Sequence, residues 1–404
     1  MYRLRMKANA MIFTGWLLAV GVARSPAQMP ERWCGMEAMQ VPEPEPPCTR
    51  GACDDAVNRD PWIPNSSSPF FTIRLRFNVF CEDDGSGCLV TSEQVNAQIA
   101  VLNAAFVGYR IQFVADQQPA AHPIHSSRYK HFCSVNSPCV CDGDPRESCG
   151  SEDQEMKFFY ADDPALKLNI YVVETDASDF RGDGYLPWWP SATGNDGGII
   201  IDADFVGGLQ CGASGFAPCR TLAHEIGHNL GLWHIYHGVT EVSECGSCFE
   251  LASCDGSCQD SLCNTVGDRC CDTAATKRWD QCSTPPGGDE CPGSGAPWSQ
   301  EEANYRNYMS NTRDDCWDRF SSQQAGRMRC WTCEKLGGWI VGEDCENNGI
   351  PDACEPRGAC CNGEGACIIA TECSCPGYFF GVGTTCPPGI ECAYLGPQLQ
   401  PPNP

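Results

Sequence analysis

A mixed α/β domain followed by a small disulfide-rich module is the architecture this sequence predicts, and three observations predict it. Strand patterns recur between residues 70 and 205, with a helical pattern between the first two. A second helical stretch, TLAHEIGHNLGLWHIYHG at 221–238, follows the last strand. Beyond residue 240 the patterning fades, and cysteine, glycine and turn residues take over.

The first strand is FFTIRLRFNVF at 70–80, which alternates apolar and polar positions and marks where order should begin, near Phe70. SEQVNAQIAVLNAAFV at 92–107 reads as a helix capped by Ser92, with Val95, Ile99, Leu102 and Phe106 on one face. YRIQFVAD at 109–116 is the next strand. After an insertion bearing Cys133, Cys139, Cys141 and Cys149 come the buried strand KLNIYVVE at 167–174 and GGIIIDADF at 197–205.

Ahead of the domain, Arg3, Arg5 and Lys7 precede an apolar run, and Ser25-Pro26-Ala27 has the small-x-small form of a signal-peptidase site, so residues 1–27 read as a signal peptide. The uninterrupted apolar core from Met11 to Ala23 is short for a membrane span of about 20 residues. Residues 28–66, with VPEPEPP and PNSSSP, read as a prosegment or linker. With an export signal, 32 cysteines imply an oxidising compartment and many disulfides. The net charge of −25 argues against nucleic acid or an anionic membrane as partner and suits calcium or basic substrates, although an acidic extracellular surface accounts for most of it.

In a helix, His224 and His228 lie one turn apart on the same face, so both imidazoles can reach one ion at roughly 2.0 to 2.1 Å. Glu225 follows the first of them and can hold a water beside the metal without occupying a coordination position. Gly231 is a natural helix stop, and the reversal it permits brings back His234 as a third ligand. Three neutral imidazoles leave the fourth tetrahedral position open, the arrangement of a catalytic zinc site. His237 falls outside this register and reads as a neighbour of the site or a solvent-exposed residue.

His-Glu-x-x-His-x-x-Gly-x-x-His resembles the metzincin metallopeptidases, whose members also carry a methionine in a tight turn beneath the metal; NYRNYMSN at 304–311 supplies Met309. HEIGHNLGLWH, GDRCCDT at 267–273, NYM followed by Asp315-Cys316, and FSSQQAGRM at 320–328 narrow the resemblance to the pappalysin family, over about residues 70–335. The resemblance implies a metzincin-like domain, α/β or α+β, with a twisted mixed sheet, an active-site helix and a Met-turn. It also implies a secreted zinc endopeptidase acting on protein or peptide substrates, with Glu225 as general base. Asp314 and Asp315, just after the Met-turn, would then be candidates for a specificity pocket that prefers cleavage before Arg or Lys, with turn or calcium-ligand roles as the alternative. Asp268 and Asp272 resemble calcium positions of the family, with turn or capping roles as the alternative. Two departures stand out. Asn311 occupies the position where members often carry a catalytic tyrosine, and Ala274 replaces the proline of the family's D-T-P.

Residues 67–335 are thus the expected catalytic domain and 336–404 the cysteine-rich module. DCENNGIPDACE at 344–355 offers Asp344, Glu346, Asn348, Asp352 and Glu355 at the spacing of an EF-hand or dockerin-like calcium loop. No helical pattern flanks it, and Cys345 with Cys354 could instead close the loop covalently. The rest of the module could attach to a surface or matrix component. The parts before and after residue 336 carry 23 and nine cysteines. Both counts are odd, so a disulfide crossing near CWTC at 330–333 is expected unless thiols stay free or the boundary is misplaced. RWCG at 32–35 resembles the Cys-Gly element of some pappalysin-like prosegments, in which Cys34 would hold the zinc as a switch; a disulfide to Cys48 or Cys53 is the alternative. The reading of a different class is an extracellular binding or matrix protein built on an inactive metallopeptidase-like domain.

Overall fold

In the computed structural model the residues described are 33–34, 51–132, 149–175, 180–189, 191–207, 219–237, 267–273, 278, 280–283, 304–362, 366–384 and 386, a few at element ends by backbone alone. The elements in order are β1 (Trp33–Cys34), α1 (Ala56–Arg59), β2 (Phe71–Cys81), α2 (Ser92–Phe106), β3 (Ile111–Ala115), β4 (Ala121–His125), α3 (Ser127–Lys130), β5 (His131–Phe132) and α4 (Cys149–Tyr160). They continue with β6 (Leu168–Thr175), β7 (Phe180–Gly184), β8 (Ile199–Asp202), α5 (Thr221–Asn229), α6 (Ser322–Lys335), β9 (Gly358–Cys361), β10 (Cys367–Ala370) and β11 (Tyr378–Val382). None of the described helices is long and apolar enough to cross a membrane.

The main sheet runs β1-β7-β8-β6-β2-β3, with β4 extending β3's edge of β2 and β5 pairing β6. It is mixed, as expected: β2, β3, β4, β6 and β8 pair in parallel, while β7 runs antiparallel to β8. Alternation along β2 explains its burial. Phe71, Ile73, Leu75, Phe77 and Val79 turn to one face, where they meet Val95, Ile99, Leu102 and Phe106 of α2 and Leu222, Ala223 and Ile226 of α5. Phe80 turns to the other face, with Tyr171, Val173, Ile200 and Met156 of α4. Each large apolar side chain so buried contributes ~1.5–3 kcal/mol.

Several expectations are revised. Thr91, rather than Ser92, caps α2: its backbone is extended, and it forms a capping box with Gln94. Ser92 is the first helical residue, and its hydroxyl accepts from Ala121 N. The insertion contains α4, and the stretch before residue 335 contains α6, capped by Ser321 and Gln324. Order begins well before Phe70. Cys53 is disulfide-bonded to Cys330 of α6, and Cys53, Asp54 and Arg59 are fully buried, because their partners lie in parts of the chain no local pattern can reveal.

The expected crossing disulfide is Cys333–Cys354. Cys345 pairs with Cys373, so the 344–355 loop is not closed on itself by Cys345 and Cys354. A three-stranded antiparallel sheet, β10-β9-β11, with Cys360–Cys375 and Cys367–Cys386, forms the rest of the described module.

Candidate metal centre

Helix α5 is buried along its whole length. Its N-terminal residue lacks a capping side chain of its own, and the orphan donors are met from a distance. Asp314 Oδ2 accepts from Arg220 N at 3.0 Å, Thr221 N at 2.9 Å and Thr221 Oγ1 at 2.8 Å. Asp314 Oδ1 pairs with Arg181 of β7 at 3.1 Å. A carboxylate at this end also suits the helix dipole. Asp314 therefore anchors the histidine helix at 1 % exposure, a structural role of the kind that was the alternative to a specificity pocket. Asp315 is paired bidentately with its neighbour Arg313.

At the far end Gly231 adopts φ +97°, and Arg327 Nε donates to its carbonyl at 2.6 Å. An added Cβ there would lie 2.3 Å from Trp331 Cδ1, so both conformation and space demand glycine. The turn brings His234 back to His224 and His228. Their three Nε2 atoms lie 3.1 Å from one another in every pairing, and all three residues are buried.

Protonation decides what this cluster is. Nδ1–H of His224 donates to Tyr308 O at 2.6 Å, and Nδ1–H of His228 donates to Leu232 O at 2.8 Å. A carbonyl only accepts, so in the neutral rings both Nε2 atoms present lone pairs to each other. Lone pairs converging at 3.1 Å cannot hydrogen-bond; they fit a cation placed between them, with the backbone carbonyls behind the rings fixing the tautomers. Three imidazoles in a tetrahedral fragment suit zinc. Trp317 stacks on His224 with centroids 5.2 Å apart, and Tyr236 stacks on His234 at 4.6 Å, which holds both rings in plane.

Glu225 is 1 % exposed and packs beneath β7. A Cβ on Gly182 would come within 2.8 Å of its Cγ, and one on Gly184 within 2.5 Å of its backbone oxygen, so only glycines let this strand lie against the helix. The intervening Asp183 is buried, and burial pushes its carboxyl up to about 7 despite the charge of Lys157. Strand β7 also takes β1 along its outer edge, with Cys34 in register with Gly182. The Cys34 side chain lies outside the described residues. Cys53 is excluded as its partner, since Cys53 is bonded to Cys330.

Met309 is fully buried under α5, its Sδ 2.5 Å from where a Gly227 Cβ would stand. Asn307 Oδ1 accepts from Met309 N at 2.8 Å, and Met309 O accepts from Ile235 N at 3.1 Å, tying the turn to the third-ligand loop. The Tyr308 ring packs on Phe320, 4.7 Å between centroids, and belongs to the core. Asn311 is 9 % exposed. His237 is stacked on Trp233 at 4.1 Å and 2 % exposed, so it is a buried neighbour and not a surface histidine.

The acidic pair of GDRCCDT serves the fold. Asp268 accepts from Cys270 N at 3.0 Å and Thr273 Oγ1 at 2.7 Å, and Asp272 accepts from Ser321 Oγ at 2.6 Å and Gln323 N at 2.8 Å at the start of α6. These are the turn and capping roles that were the alternative to calcium. Sequence reading missed one further residue. Asp54 takes Arg327 through Oδ1 and Arg269 through Oδ2 at 2.5 Å, and Arg327 is the side chain that holds Gly231.

No family model matches the chain. Over 187 residues it is 31% identical to human pappalysin-1, covering 46% of this chain and only 10% of that much longer protein. An extracellular metalloprotease of Sordaria macrospora is 27% identical over 269 residues, 65% of this chain and 75% of that one. Among solved structures, a promirolysin mutant of Tannerella forsythia superposes with TM-score 0.48 at 19% identity, over 70% of this chain and 88% of its own. In sequence the chain is thus similar to pappalysin-1 and to fungal extracellular metalloproteases, over a part that holds the three histidines.

Proposed function

We propose that the chain is a secreted zinc endopeptidase. The observation that carries the reading is the trio of Nε2 atoms at 3.1 Å, with the tautomers of His224 and His228 set by backbone carbonyls. His224, His228 and His234 would hold the ion, which when bound polarises a scissile carbonyl and lowers the pKa of an attacking water to about 7. Glu225 takes a proton from that water and returns it to the leaving amine. Once β1 has left it, the outer edge of strand β7, with its glycines at 182 and 184, would let an extended peptide lie over Glu225. The names of the extracellular relatives support secretion, and the leader at 1–27 would direct it.

One experiment reads both activity and preference. The chain from Gln28 onward, expressed under oxidising conditions, should cleave a peptide library, lose that activity to a zinc chelator and regain it with zinc. Cleavage that ignores the chelator would refute the zinc reading. Enrichment of Arg or Lys after the scissile bond is the finer expectation. With Asp314 committed to α5, it rests on Asp315, and a flat profile removes it.

Calcium is proposed for the 344–355 loop. Asn347 and Gly349 both take positive φ, Asp344 accepts from Asn348 N and Gly349 N, and Asn348 Nδ2 reaches both Glu346 and Glu355. Asp352 Oδ1 accepts from Cys345 N, and Oε2 of the buried Glu355 has no hydrogen-bond partner. Carboxylates and an amide gathered on so tight a turn suit a hard cation. Calcium should raise the melting temperature of the intact protein, and Glu355→Gln should remove that rise; an unchanged melt in both would end the proposal.

A cysteine switch is proposed for Cys34, supported by the placement of its backbone along β7 beside Gly182. Mass spectrometry of the unprocessed protein should find Cys34 outside any disulfide.

A further inference from the structure

A cleft of about 480 Å³, sharing no residue with the histidine centre, opens between residues 61–69, α6 and the C-terminal module. Trp62, Pro69, Ile369 and Val382 give it apolar walls, and Arg329 and Arg357 line it with guanidinium groups. Arg329 is 2 % exposed. One of its N–H groups donates to Arg110 O at 2.9 Å, its guanidinium lies 3.7 Å over the Phe71 ring, and its Nε is buried with no acceptor. Arg357 donates to Ile369 O at 3.0 Å, and its Nε is likewise buried and unmet.

Among the described residues neither arginine has an ion-pair partner, in a chain with 52 acidic side chains against 27 basic ones. Arg357 is half-buried, with the charge of Asp352 acting on it, whereas the deeply buried arginines near Arg329 are paired: Arg59 with Asp60, Arg269 and Arg327 with Asp54. An unpaired buried charge is costly, and here burial, with Arg110 and Arg357 close by, lowers the Arg329 pKa to about 9. An anion seated in the cleft would remove that cost.

We propose that this cleft binds a ligand carrying a carboxylate on an apolar body, with Arg329 and Arg357 on the carboxylate and Trp62, Ile369 and Val382 on the body. The guanidinium fork matches a carboxylate in shape and charge. Glu355 also lines the cleft; its Oε1 accepts from Asn348 in the loop, and it pairs with neither arginine. Its negative charge repels any anion, a doubly charged one such as sulfate about twice as strongly as a single carboxylate, which favours the latter of the two. The carboxylate could be the free C-terminus of a peptide or a small organic acid.

Calorimetry on the intact, zinc-loaded chain tests this, with the metal centre blocked by a saturating hydroxamate. The probes are N-acetyl-Phe-Leu as free acid, the same dipeptide as its amide, hexanoate, and sulfate. The acid should bind at least about tenfold more tightly than the amide, the loss expected when charged pairing is removed. Tighter binding of the dipeptide acid than of hexanoate identifies a peptide terminus; the reverse identifies a small acid, and either supports the site. Arg357→Gln should weaken acid binding about tenfold. Val382→Glu, at a position 64 % exposed and so safe for folding, should abolish it by placing a competing carboxylate at the rim. Equal binding of acid and amide, binding of sulfate alone, or acid binding unchanged in both variants would overturn the proposal. None of these readouts depends on peptide hydrolysis.

Discussion

Replacing Glu225 by glutamine is expected to leave one zinc per chain while peptide hydrolysis falls by ~10²–10⁴, the range of a lost general base. The amide is isosteric, so the tight approach of Gly182 to the side chain and of Gly184 to the backbone survives. His224 and His228 also keep their carbonyl partners. What disappears is the ability to accept a proton. Metal content by atomic emission and turnover of a cleavable peptide, measured on the same sample, separate the possibilities. Full turnover would remove Glu225 from the chemistry, and loss of zinc would make it a structural residue instead.

Asp54→Asn should destabilise the domain by ~3–5 kcal/mol, the cost of leaving buried charges without their counter-ion. Two guanidinium groups, those of Arg327 and Arg269, converge on this one carboxylate, and Gly51 N also donates to it at 2.6 Å. Burial pushes the Asp54 carboxyl up, but the two arginines outweigh it and hold the carboxyl below its ordinary value. A depressed folded-state pKa means the stabilisation is present above the unfolded value of about 3.9 and is lost as pH falls through the lower folded one. Denaturant unfolding at pH 7 should show the full loss, and the difference between variant and parent should shrink as the solution is acidified. Because Arg327 holds the Gly231 carbonyl, zinc should also dissociate faster from the variant. Unchanged unfolding of the Asp54→Asn variant would contradict this role for the carboxylate.

The contrast between these two residues shows what the sequence makes legible. His224, Glu225, His228, Gly231 and His234 sit within eleven positions, and the periodicity of one helix and the freedom of one glycine bring them together. Strands β2, β3, β6 and β8 were readable for the same reason, as local alternation or apolar runs. Asp54 meets Arg327 across 273 positions, and Asp314 caps α5 across 93. No local pattern encodes either pairing, so the sequence leaves one aspartate in a prosegment or linker and the other open between a specificity pocket and a turn or calcium role. Ser92 and Thr91 illustrate a smaller limit: both residues cap helices well, and only the backbone angles choose between them. The fates of Cys345 and Cys354 were equally hidden, since cysteine counts constrain parity and not partners.

The Cys53–Cys330 bond divides the N-terminal region into a part that can leave and a part that cannot. A cut between residues 34 and 53 would free the strand lying along β7 while keeping Asp54 under Arg327. A cut between Asp54 and Phe71 would sever the backbone but release nothing from that point, because the upstream fragment stays tethered through Cys53. Maturation by proteolysis therefore has a window set by a covalent bond, and a cut placed beyond that window leaves a two-chain protein that still carries its own N-terminal segment.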